Sequence, residues 1–137
     1  MLRKAQPLDL PAIHTVRQRV RENRLPHDYA AFVAAATPFV EAGHCWVWGD
    51  AGCICGDAAY DLAAAYIEVL YVDPAHERRG IGTALLDRCC RDLREAGHRA
   101  AWLHTVAGTA AAAFYRARGW VEHDAADPRN VLFRKDL

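Results

Sequence analysis

The sequence predicts an α/β domain in which helices flank a mixed, mostly antiparallel central sheet. Three observations carry this. Apolar residues recur at helical spacing in four separate segments. Runs of strand length stand between those segments. Three strand candidates follow one another in the middle of the chain before helix and strand alternate again. The predicted order is β-α-α-β-β-β-α-β-α-β-β, a layered arrangement around one sheet.

Leu2 to Gln6 reads as a short strand. Asp9 then stands as an N-cap, with Pro11 in the first turn, where its missing N–H is harmless. Ile13, Val16 and Val20 make an apolar stripe at helical spacing, and the helix is expected to end around Asn23, before Pro26. Asp28 caps a second helix carrying Phe32, Val33, Phe39 and Val40, which Pro38 is expected to bend or divide. The period then changes. His44 to Trp48 and Cys53 to Tyr60 are strands on either side of the turn cluster Gly49-Asp50-Ala51-Gly52. Asp61-Leu62-Ala63 leads into a third strand, Ala65 to Val72, which completes an antiparallel meander. Pro74 stops that strand. A glycine-bearing loop opens into a helix from about Ile81 to Ala96, with Leu86, Cys89 and Leu93 on its buried stripe and Gly97 ending it. Ala101 to Thr105 is a strand, Thr109 caps a helix to Arg118, and Trp120 to Glu122 and Val131 to Lys135 are the last strands.

The 137 residues suit one domain, 1–137, and a hydrophobic fraction of 53% suffices for a core. Formal net charge is zero, which argues against nucleic acid as partner, because phosphate contacts call for a basic face. The N-terminus lacks the apolar stretch of a secretory leader. No apolar run approaches the roughly 20 residues that span a bilayer. The expectation is a cytoplasmic protein, not membrane-bound. The five cysteines are an odd number and argue against a disulfide framework. His44, Cys45, Cys53 and Cys55 lack the paired spacing of a zinc site, so no metal is expected.

The most informative segment is YIEVLYVDPAHERRGIGTALL, Tyr66 to Leu86. A strand ends at Val72-Asp73-Pro74, and His76-Glu77-Arg78-Arg79-Gly80-Ile81-Gly82 opens directly into a helix. Glycines permit positive φ or close backbone approach. The first helical turn leaves N–H groups free under a dipole that favours an anion. Together these form a pyrophosphate cradle, and Arg78 and Arg79 add positive charge. A Rossmann site would need a third glycine and the first strand of the chain, and a Walker A loop would need Gly-Lys-Ser/Thr; neither pattern is present.

Val72-Asp73-Pro74 followed by Arg79-Gly80-Ile81-Gly82-Thr83-Ala84 resembles V-x-P-x-x-[RQ]-x-x-G-x-[GA], the acyl-CoA-binding motif of the GNAT superfamily. Ala111-Ala112-Ala113-Phe114-Tyr115-Arg116-Ala117-Arg118-Gly119-Trp120 is similar to that family's second signature, A-x-x-F-Y-x-x-x-G-F. The resemblance spans essentially the whole chain and is weakest over residues 1–45. It implies a GNAT-like fold and an N-acyltransferase using acetyl-CoA as cosubstrate. Cofactor contacts are implied at Leu70, Tyr71 and Val72; at Glu77, Arg78, Arg79, Gly80, Ile81, Gly82, Thr83 and Ala84; and at Gly108, Ala111, Phe114 and Tyr115. The Leu70 N–H would meet the thioester oxygen, and Val72 would pair with the pantetheine arm. The chain departs at Glu77, where the family carries Arg or Gln, and at Gly108, where it often carries Asn.

The resemblance also implies roles in catalysis. Tyr115 matches the tyrosine near the CoA sulfur and is the candidate general acid. Glu68 is the candidate base, as a carboxylate inside an apolar strand should have a raised pKa; Asp57 and Asp61 are lesser acidic candidates. Trp46, Trp48, Trp102 and His104 are expected in the sheet core. The acceptor pocket is implied to draw on Arg17, Glu22, Asn23, His27, Tyr29, Asp57 and Tyr60. The acceptor is expected to be a small-molecule amine or a peptide; a homodimer is left open. The rival readings are a non-catalytic acyl-CoA sensor of the same fold and an N-acetyltransferase acting on a protein terminus, a lysine or aminoacyl-tRNA, the last opposed by the neutral charge.

Overall fold

The computed structural model describes residues 1–20, 28–50, 53–123 and 127–137. The elements are β1 (Leu2–Lys4), α1 (Leu10–Arg19), α2 (Tyr29–Ala42), β2 (Cys45–Asp50), β3 (Cys53–Asp61), β4 (Tyr66–Val72), α3 (Ile81–Glu95), β5 (Ala100–Val106), α4 (Ala110–Ala117), β6 (Val121–His123) and β7 (Asn130–Asp136), with short 3-10 turns at Pro7–Asp9 and Pro74–His76. The predicted order of helices and strands is the observed one.

The seven strands form one sheet in the order β1-β2-β3-β4-β5-β7-β6. Every neighbouring pair is antiparallel except β4 and β5. α1 and α2 pack on one face through Ile13, Val16, Phe32, Ala36 and Val40. α3 packs on the other through Ile81, Leu85, Leu86, Cys89 and Leu93, and Tyr115 of α4 joins the same core. Gly56 explains how closely α3 sits. A Cβ there would lie 2.9 Å from the Tyr71 carbonyl oxygen and 3.1 Å and 3.2 Å from Leu85 and Ile81, so only glycine lets the start of the helix reach the sheet.

Three local expectations change. α1 ends at Arg19, and Val20 is extended and buried, so the apolar stripe outlasts the helix. Pro38 does not divide α2, which runs unbroken from Tyr29 to Ala42. Its buried residues Phe32, Ala36 and Val40 fall on both sides of the proline, so both halves pack on the sheet. β2 continues through Asp50 instead of turning at Gly49.

Among the described residues, no helix is long and apolar enough to cross a membrane, and no group of three His, Cys, Asp or Glu side chains is placed to hold a metal.

Candidate active site

β4 and β5 run parallel but share a single ladder pair, Tyr66 with Trp102, beside a bond from the Trp102 N–H to the Ala65 carbonyl of 2.9 Å. Beyond that point each strand stays paired on its other side, β4 with β3 and β5 with β7. Both strands then line a cavity of about 860 Å³, which α3 and α4 complete.

One end of the cavity is the loop before α3. Asp73, only 4% exposed, starts it: its carboxylate accepts the Ala75 N–H at 2.9 Å and the Arg19 guanidinium at 2.9 Å. Burial opposes the charge, but these donors outweigh it and hold the carboxyl below its ordinary value. Arg78 and Gly80 both take positive φ, 64° and 77°. Gly80 is the N-cap of α3 and supplies no side-chain bond to the first turn. The first intrahelical bond runs from the Ala84 N–H to the Gly80 carbonyl at 3.0 Å. The N–H groups of Ile81, Gly82 and Thr83 are therefore the free donors of the helix start. A Cβ on Gly80 would meet nothing within 4 Å, so the loop is open beside that turn. These features fit the diphosphate of an acyl-CoA.

Glu68 lies where the strands begin to part. Ala59 faces Val69 while Tyr60 faces Ile67, so Glu68 is the extra residue of a β-bulge. It lines the cavity. Partial burial, and then the negative Asp61, push its pKa up. Beside it the Tyr66 hydroxyl and His104 Nδ1 are 2.9 Å apart. Burial and the charge of Glu68 hold the Tyr66 phenol protonated to higher pH, with the backbone of His104 acting the other way. The expectation that His104 belongs to the core is thus corrected: it is exposed and lines the cavity. The bulge and the parting of β4 from β5 leave that side of β5 uncovered. Trp48 and Trp102 are half-buried, and Trp46 is buried as expected.

Tyr115 reaches the cavity from α4, 7% exposed and set among Phe114, Trp120 and Phe133. Burial, and then the neighbouring Tyr71, Cys89, Cys90 and Tyr66, raises its pKa well above that of an ordinary phenol. The phenol therefore stays protonated at neutral pH.

Of the sequence-derived cofactor residues, Leu70, Tyr71, Val72, Glu77, Arg78, Gly80, Ile81, Gly82, Thr83, Ala111, Phe114 and Tyr115 line this one cavity. Arg79, Ala84 and Gly108 are not among the lining residues; Arg79 is hydrogen-bonded to His76 at 2.8 Å. The acceptor candidates scatter. Asp57 is fully buried against Arg17, at 2.6 Å. Its burial raises its pKa more than Arg17 lowers it. Tyr60 is buried on the α3 side and donates to Asp92 at 2.9 Å. Tyr29 is exposed at the start of α2, edge-on to His14. Glu22, Asn23 and His27 lie outside the described residues. The sequence suggested no site role for His104, Val20 and Arg118, which line the cavity, or for Tyr66, which contacts His104. For His104 the available signal was a polar ring in an otherwise apolar strand.

The fold and the site define an acyltransferase-like α/β domain. A model of the acetyltransferase (GNAT) family matches residues 10–120, and the chain belongs to that family. A search of curated proteins by sequence finds no match. Among solved structures the chain is similar to the ribosomal-protein-S18-alanine N-acetyltransferase from Escherichia coli, with a TM-score of 0.79 and 22% identity over 99% of this chain and 92% of that one. It is also similar to Ard1 from Thermoplasma volcanium, with a TM-score of 0.80 and 19% identity over 100% and 97% of the two chains. A third likeness is the PaiA N-acetyltransferase from Thermoplasma acidophilum, solved in complex with coenzyme A, with a TM-score of 0.80 and 14% identity over 100% and 98%. At these identities the likeness concerns the fold.

Proposed function

We propose that residues 1–137 form one N-acetyltransferase domain that moves an acetyl group from acetyl-CoA to a primary amine of a small molecule or peptide. The observation that carries this reading is the cavity between β4 and β5, flanked by the open start of α3 and by Tyr115. Membership of the GNAT family supports the same class of reaction.

Ile81, Gly82 and Thr83 would hold the diphosphate through backbone N–H groups, and the backbone of Leu70 and Val72 would position the acyl arm. Bound acetyl-CoA supplies the thioester whose acetyl group is transferred. An alkylamine with a pKa of about 10 is only about 0.1% neutral at pH 7, a penalty of about 4 kcal/mol, so a base or a low-pKa acceptor is needed. Glu68 takes the proton from the amine nitrogen, its raised pKa suiting the task. His104, held by Tyr66, lies in the same cavity as a second proton acceptor. As the amine nitrogen bonds to the acetyl carbon and the C–S bond breaks, Tyr115 would give its hydroxyl proton to the departing sulfur.

The test is thermal unfolding with ligand, followed by an assay of CoA thiol release against amines and peptides. Acetyl-CoA should raise the melting temperature in proportion to RT ln(1 + [L]/Kd), and at least one amine should then release thiol. No shift at millimolar acetyl-CoA would overturn the reading. A shift without thiol release from any amine would favour the sensor alternative.

A further inference from the structure

The loop before α3 poses an electrostatic problem. Glu77 brings a negative charge to the cavity wall, and Arg79 is engaged with His76. Arg78 adds one cation from the loop itself. Another stands opposite, at the C-terminal end of α4. Arg118 is half-buried and lines the cavity beside Gly82 and Thr83. Its Nε donates to the Thr83 hydroxyl at 2.8 Å and its Nη1 to the Phe114 carbonyl at 3.2 Å. The guanidinium lies over the Phe114 ring, 3.8 Å from the centroid, and that ring packs 3.5 Å from where a Gly82 Cβ would be. The Arg118 carbonyl is fixed in turn by Lys135 Nζ at 2.6 Å.

Arg116, two residues earlier, shows the ordinary surface alternative: it is exposed and paired with Glu122. Arg118 pairs with no carboxylate among the described residues. A guanidinium has five N–H donors. Two are spent on holding it flat against Phe114, and three remain. Its orientation is therefore set before any ligand arrives, and its charge is not cancelled. Such a fork suits an oxyanion of phosphate type.

We propose that Arg118 is a cofactor-binding residue that donates to the diphosphate of acetyl-CoA from α4, facing the backbone N–H groups of α3. The proposal rests on the acetyl-CoA reading above and deepens it. It assigns a side chain to a contact otherwise made by backbone, and explains how the loop tolerates Glu77.

The experiment is calorimetric binding of acetyl-CoA and of S-acetylpantetheine, which lacks every phosphate, to the wild type, Arg118→Gln and Arg118→Lys. Arg118→Gln should weaken acetyl-CoA about 10-fold, the order expected for one charge-assisted contact, and leave S-acetylpantetheine unchanged. The affinity of the variant for acetyl-CoA should also fall less steeply with salt. Arg118→Lys keeps the charge without the fork and should lie in between. Equal acetyl-CoA affinity in wild type and Arg118→Gln overturns the assignment. So does an equal loss for both ligands, which would make Arg118 a packing residue only. If Arg118→Gln does not fold, Arg118→Lys decides: wild-type affinity together with an unchanged salt slope overturns the fork, and weakened acetyl-CoA with unchanged S-acetylpantetheine supports it. A wild type that binds neither ligand defeats the acetyl-CoA reading itself, a separate result.

Discussion

The α3 end of the cavity is built largely from backbone, whereas the end where β4 and β5 part is built from side chains. At α3 the work falls to positive-φ residues and the uncapped N–H groups of one helical turn. At the other end the proposed work falls to Glu68, Tyr66 and His104. Backbone recognition constrains sequence strongly, because few residues tolerate positive φ or close approach. Side-chain recognition asks only that the right group face the right way, and that depends on strand pairing.

The contrast accounts for what was legible in the sequence. The loop from Val72 to Thr83 could be read because proline and glycine mark it in fixed register with a strand and a helix. Element order followed from periodicity in the same way. At the end where β4 and β5 part, Glu68 was legible as a carboxylate in an apolar strand, but the neighbouring faces were not, because the bulge at Glu68 breaks the alternation. Leu70 and Val72 pack toward α3, and so does Ile67, while Val69 and Tyr71 face α1 and α2. Counting by twos from Tyr71 would have put Ile67 on the wrong face. Asp57 misleads in a related way. A carboxylate on a central strand suggests a site, yet it is fully buried and paired with Arg17, which only the packing of α1 reveals.

The sharpest test of the side-chain end is Tyr115→Phe. Deleting the hydroxyl should lower turnover about 10²-fold or more, as for loss of a general acid. Acetyl-CoA affinity should stay within about twofold by calorimetry, since the proposed cofactor contacts come from the α3 backbone and Arg118 and not from this hydroxyl. Full turnover at every pH would remove Tyr115 from the chemistry.

The backbone end should yield to a methyl group in the right place. Gly56→Ala puts a Cβ 2.9 Å from the Tyr71 carbonyl oxygen and should cost about 1–3 kcal/mol of stability, typical of overpacking. Because α3 must shift, acetyl-CoA affinity should fall with it. Gly82→Ala is the control: its Cβ would meet Phe114 and Val72 at 3.5 Å, an ordinary contact, and it should be nearly neutral. Equal melting temperatures for the two variants would show that crowding at Gly56 does not set the position of α3.

Glu68→Gln bears on proton removal. Because its carboxyl has a raised pKa, the acid limb of kcat/KM should lie above the ordinary value of 4.5, active where Glu68 is ionised. The variant should lose most activity for an acceptor of high pKa, and the acid limb should change shape. An unchanged limb would transfer the base to His104, and His104→Gln would then carry the loss.

The smallest effect tests the one carboxylate on which the backbone end depends. Asp73 starts the loop, accepting from the Ala75 N–H and from Arg19. Its pKa is depressed in the folded protein, so its contribution is present above the ordinary value of 3.8 and disappears as pH falls through the lower folded value. Arg19 is 60% exposed in this pair, so solvent screens most of the attraction. Asp73→Asn keeps an acceptor for the Ala75 N–H and removes only the charge. It should therefore cost about 0.5–1 kcal/mol at neutral pH, the range of exposed ion pairs. Thermal unfolding of wild type and variant from pH 7 to pH 2 decides the point: the two curves should converge at the acid end. A gap that persists at pH 2 would mean that the carboxylate acts through shape instead of charge, and the loop would then owe its form to packing around Pro74 and not to the link with α1.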